Sequence, residues 1–151
     1  MIAARALRAD CVRSSFAASP ILEFIVLVVV RSVIAVVAGY AAMAAVVIAL
    51  TVLVKKISPA WVGSERDPNA SYVYTNLLYS FGAAMIGGYV AAVIGSSAPL
   101  AHACALAVIV LALSIVSAVQ IGDRQPRWYQ AVLALIGPLG AVLGGWIRAK
   151  S

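Results

Sequence analysis

Residues 72–94 read YVYTNLLYSFGAAMIGGYVAAVI, a run without a single Asp, Glu, Lys or Arg. A helix needs about 20 mostly apolar residues to cross the roughly 30 Å hydrocarbon core of a bilayer, and this stretch supplies them. Three further runs do the same: about 32–54, ending at Lys55-Lys56, then about 98–120 and about 127–147. The pattern predicts an all-α fold, a polytopic membrane protein built as a four-transmembrane-helix bundle with short connections.

Composition points the same way. Hydrophobic residues make up 64% of the 151 positions and charged residues 11%, where soluble domains carry about 45–50% and about 25%. A soluble domain of this length buries only about 70% of its chain's surface. The surplus apolar surface therefore has to face lipid.

The connections carry the breaking signals. Between the first two runs lie Ser58-Pro59, Gly63, Glu65, Arg66, Asp67-Pro68 and Asn69, where proline and charge end a helix. Only Gly95-Ser96-Ser97 and Ala98-Pro99 separate the second run from the third, so those helices are expected as antiparallel neighbours. Gly122-Asp123-Arg124-Gln125-Pro126 precedes the fourth, its proline placed as at a helix start. Trp61, Tyr72, Tyr74, Trp128, Tyr129 and Trp146 fall near the ends of the runs, where aromatic rings mark the headgroup boundary.

The net charge of +6 comes from basic residues set singly or in pairs at the ends of apolar runs: Arg31, Lys55, Lys56, Arg124, Arg127, Arg148 and Lys150. That placement suits side chains held at headgroup level. It lacks the basic stripe with interleaved aromatics that nucleic-acid binding requires, so the expected partners are the lipid bilayer and a second copy or another membrane protein. The positive-inside rule does not fix the orientation, because dropping the residues before Arg31 reverses the bias.

Residues 1–30 are set apart from the 31–151 membrane domain. Three readings are open for them: an interfacial helix, a targeting segment, or an extension upstream of the true start, which is the one favoured. A cleaved signal peptide is not expected, because the apolar run after Pro20 far outlasts the 7–15 residues of a signal's apolar region. An uninterrupted helix from Ile21 to Val54 would be about 51 Å long, so a break, a tilt or a segment lying flat is expected.

Small residues dominate the interior of the runs. The second carries Gly82, Ala83, Ala84, Gly87, Gly88, Ala91, Ala92 and Gly95, in which Ala83 to Gly87, Ala84 to Gly88, Gly87 to Ala91, Gly88 to Ala92 and Ala91 to Gly95 have the small-xxx-small spacing. Gly140 to Gly144 and Ala141 to Gly145 continue it in the fourth, and Ala35 to Gly39 in the first. Lipid offers little hydrophobic drive between helices, so close backbone approach at such faces supplies the contacts. These glycines are the expected helix-packing positions, within the bundle or between two copies.

Polar residues inside the runs are few. Asn76 and Ser80 lie one turn apart, with Tyr72 and Tyr79 nearby, and Ser114 and Ser117 lie on the third run. Asn76, Ser80 and His102, the single histidine, are the candidates for a weakly polar path; the plainer expectation is interhelical hydrogen bonding. His102 with Cys104 offers two ligands where zinc takes about four, and an interfacial histidine bonded to a loop carbonyl or water is expected. Cys104 reads as a small structural residue, and neither it nor Cys11 sits in a C-x-x-C pattern. No metal, no cofactor and no catalytic residue is expected. Asn69-Ala70-Ser71 matches the N-glycosylation pattern, which matters only in a secretory pathway.

Gly87-Gly88-Tyr89-Val90-Ala91-Ala92, His102-Ala103, Gln125-Pro126-Arg127-Trp128-Tyr129 and Gly144-Gly145 together resemble a group of small four-helix bacterial inner-membrane proteins without an assigned activity. The resemblance covers about Arg31 to Lys150 and implies location and architecture alone. Small multidrug-resistance transporters use a glutamate within the first span, whereas Glu23 precedes the run assigned here. Fluoride channels and glutathione-handling membrane enzymes carry polar or charged helix faces that this sequence lacks. The expected role is a non-enzymatic structural or interaction component, with a small transporter or channel subunit as the alternative.

Overall fold

The computed structural model describes residues 20–59, 69–122 and 126–151; expectations placed on residues 1–19, 60–68 and 123–125, Cys11 and Trp61 among them, lie outside these. The described residues form four helices, α1 Pro20–Ile57, α2 Ala70–Ile94, α3 Pro99–Ile121 and α4 Arg127–Lys150. Each is long and apolar enough to cross a membrane. This is the all-α, four-helix architecture expected of a small multi-pass membrane protein.

Local chemistry sets the helix ends. The Asn69 side chain accepts a hydrogen bond from the Ser71 amide at 3.1 Å, so Asn69-Ala70-Ser71 is the N-terminal cap of α2. The Gly95 amide closes α2 on the Ala91 carbonyl at 2.9 Å, and Pro99 opens α3 where its missing amide costs nothing. Gly122 ends α3 at φ +55°, a conformation that glycine adopts without a Cβ penalty.

Helix α1 departs from expectation. It begins at Pro20 rather than at Ser32. Nothing between Ile21 and Val30 interrupts a helix: no glycine or proline occurs there, Pro20 stands at the start, and Glu23 occupies the favourable first turn. Glu23 therefore lies inside the apolar helix rather than before it. The chain divides into two compact units between Arg31 and Ser32. Taken by itself, the 22–30 segment of α1 is apolar and exposed, with Leu22, Phe24 and Leu27 outward.

In the unit of residues 32–151, contacts give the helix directions. Gly39 meets Gly87 and Thr51 meets Tyr79, so α1 is antiparallel to α2. Ser32 meets His102 and Gly39 faces Leu106, so α1 is parallel to α3. Asn76 meets Tyr129 and Gly88 meets Ala141, so α2 is parallel to α4. One end of this bundle carries Lys55, Lys56 and the starts of α2 and α4; the other carries His102 and the α2–α3 turn.

The bundle is filled with small side chains and coated with large ones. Its buried residues are mainly Ala35, Ala83, Ala84, Ala91, Ala92, Ala103, Ala107 and Ala141, and Leu106 is the largest side chain fully enclosed. Leu78 is 75% exposed and Val119 78% exposed. A water-soluble domain distributes these types the other way round; helices that pack in lipid use small residues at their contacts.

Candidate functional site

The α2–α4 crossing brings backbones together. A Cβ on Gly88 would overlap the Ala141 backbone, and one on Gly144 would overlap the Met85 carbonyl. A Cβ on Gly140 would stand 2.8 Å from that of Ala84 and 2.9 Å from the Phe81 carbonyl oxygen. Contacts that close exist only because these positions lack side chains. Gly87 serves the α1–α2 contact, where its Cβ would lie 2.7 Å from the Gly39 carbonyl oxygen, and Gly145 faces the Ala103 methyl of α3.

Gly82 behaves differently from the other glycines of the expected packing set. A Cβ there would meet nothing within 4 Å. It lies off the face formed by Phe81, Ala84, Met85 and Gly88, and Leu78 and Ile86, four positions either side of it, leave it outside the small-residue spacing. Gly39 and Gly137 take up contacts instead, the latter against Val110.

At the lysine end, α1, α2 and α4 share a polar cluster. Asn76 donates from its side-chain amide to the Tyr129 hydroxyl, and the Ser80 hydroxyl donates to the other side of the same amide, to Oδ1, at 3.3 Å. Thr51 and Tyr79 join their hydroxyls at 2.8 Å, and Tyr72 lies within interaction range of Tyr79 and Tyr129. Among the described residues no buried side-chain nitrogen or oxygen is left unbonded. In hydrocarbon an unsatisfied polar group is costly, so each member holds another in place.

At the opposite end, His102 Nδ1 meets the Ala98 carbonyl at 2.8 Å and Nε2 meets Ser32 Oγ at 3.0 Å. The neutral ring bonds both partners when Nδ1–H donates to the carbonyl and Nε2 accepts from the serine hydroxyl. Gly95 lies against this ring, which a Cβ would overlap. Cys104 is exposed on α3, so it does not fill an interior position. Among the described residues no three of His, Cys, Asp or Glu gather.

The structure thus joins Asn76 to Ser80 but sets His102 apart from both. Fifteen residues of α2 separate Ser80 from Gly95, about 22 Å along the axis. Between these levels lie buried Ala83, Ala84, Gly87, Gly88, Ala91 and Ala92. The three candidates form two clusters divided by an apolar, closely packed layer.

Sequence reasoning missed the partners. Tyr129 reads as an interfacial aromatic beside Trp128, yet it is 4% exposed while Trp128 is 57% exposed. Thr51 and Ser32 carry no local signal, since their partners are 28 and 70 positions away.

Comparison with protein-family models, with curated proteins and with solved structures returns no match to this chain. What the molecule can do is therefore decided by its geometry: two satisfied polar clusters and a glycine-lined crossing, an arrangement able to fix helices against each other.

Proposed function

We propose that the chain is a non-enzymatic component of a bacterial cytoplasmic (inner) membrane, a structural or interaction subunit whose spans pack through small-residue faces and which assembles with a second copy or another membrane protein. One observation carries this reading: Asn76, Ser80, Tyr129, Thr51 and Tyr79 at one end, and His102 and Ser32 at the other, are bonded within two clusters with a close-packed apolar layer between them. Ser114, Ser117 and Gln130 line a groove beside α3. A conduit for ions or polar solutes would instead expose convergent polar groups along the bundle. General acid–base chemistry wants positioned ionisable groups in a cleft, and the clusters consist of hydroxyls, one amide and one imidazole. The bacterial location follows the sequence resemblance.

The test is a flux assay. The purified chain in liposomes is expected to pass protons, potassium ions and small polar solutes no faster than protein-free liposomes do. Robust flux, abolished in both Asn76→Leu and His102→Ala, would establish the transporter alternative.

A further inference from the structure

Two grooves flank the meeting of α3 and α4 at the lysine end. One, of about 370 Å³, is walled on its α1 side by Tyr40 and Met43 and reaches from Ile121 down to Val110. Eleven residues of helix give it a length of about 16 Å, close to half the roughly 30 Å hydrocarbon core. The other, of about 420 Å³, is lined by Ile115, Val119 and Arg127. Ala118, Ala134 and Gln130 line both, so the grooves run on either side of a low ridge of two methyl groups and share one polar side chain.

We propose that this pair of grooves binds the two acyl chains of one anionic phospholipid, with its phosphate at Arg127. Gln130, shared by both grooves, donates from Nε2 to the Gly122 carbonyl at 3.0 Å and ties the end of α3 to α4 there. The grooves are mostly apolar, which suits hydrocarbon tails. The first is of leaflet length, and the second, lined from Ile115 to Gly122, runs for about 10 Å and holds the upper part of its tail. Their shared ridge suits two tails leaving one glycerol. Charge complementarity selects an anionic headgroup: Arg127 lines one groove, and Lys55 and Lys56 lie exposed in the last turn of α1 at the same end. Guanidinium is the cation best matched to phosphate geometry, and basic pockets between membrane helices take acidic lipid headgroups.

Trp128, exposed beside Arg127, is the reporter. The full-length protein carrying Trp61→Phe and Trp146→Phe is reconstituted in phosphatidylcholine vesicles that contain, at equal mole fraction, phosphatidylglycerol or phosphatidylcholine brominated on the acyl chains. Brominated phosphatidylglycerol is expected to associate about fivefold more strongly by Trp128 quenching, the factor one cation near a membrane surface supplies. Ala118→Leu and Ala134→Leu, which fill the grooves from the ridge, should each remove most of that preference, as should Arg127→Gln. Thermal unfolding in detergent selects the folded variants, and Arg127→Gln at the rim keeps the test open if a ridge variant fails to fold. Equal quenching by the two lipids in the parent would overturn the proposal. So would a preference that survives all three substitutions, or one lost only in Lys55→Gln/Lys56→Gln, which would mark general surface attraction.

Discussion

Asn76 on α2 donates a hydrogen bond to the Tyr129 hydroxyl on α4, across 53 positions of sequence. The two helices are parallel and not consecutive, so no short connection aligns them. Their relative height is fixed by this bond at the lysine end and by the Gly88–Ala141 and Gly144–Met85 contacts further along. In a double-mutant cycle of Asn76→Leu and Tyr129→Phe, measured by unfolding in detergent micelles, the coupling is expected at about 0.6–2 kcal/mol, the range of interhelical hydrogen bonds in membranes. Additive single effects would show that the bond is not formed.

Gly95 and His102 make a sterically coupled pair. Gly95→Ala is expected to destabilise the bundle by about 1–3 kcal/mol, the usual cost of an overpacked contact, because the new methyl falls on the imidazole ring. In a His102→Ala background the methyl has room, so most of that cost should vanish. Thermal unfolding of the four variants checks this, and an unchanged cost in both backgrounds would refute the packing.

Gly145 faces the Ala103 methyl across the α3–α4 contact, and a Cβ at Gly145 would have no backbone atom of α3 or α2 nearer than 3.6 Å. Exchanging the two residues should therefore be tolerated where the added bulk alone is not. Gly145→Ala is expected to lower the melting temperature, and Ala103→Gly/Gly145→Ala to recover most of the loss. Failure of the second change to rescue the first would place Gly145 elsewhere.

The spans were legible because solvent decides them: long runs without charge leave few alternatives to a membrane helix. The start of α1 was not, since residues 21–30 are as apolar and helix-compatible as those that follow. The glycine faces were legible as a spacing but not as a direction. In a helix apolar all round there is no polar face to show which side is inward. Gly88 continues the Ala84–Gly88–Ala92 spacing, whereas Gly82, with Leu78 and Ile86 four positions away, shares only its residue type. Tyr129 was illegible for another reason, because only a partner from a distant helix distinguishes it from its neighbour Trp128.

The contrast between Gly82 and Gly88 also tests most directly whether the α2–α4 crossing holds this bundle together. Leucine is introduced at each position in the full-length chain, and unfolding free energy is measured in the same micelles. Gly88→Leu is expected to cost more than about 3 kcal/mol, above the ordinary overpacking range because the obstacle is backbone. Gly82→Leu, with open space around it, should cost less than about 1 kcal/mol. Equal losses at the two positions, or a stable Gly88→Leu bundle, would contradict the account.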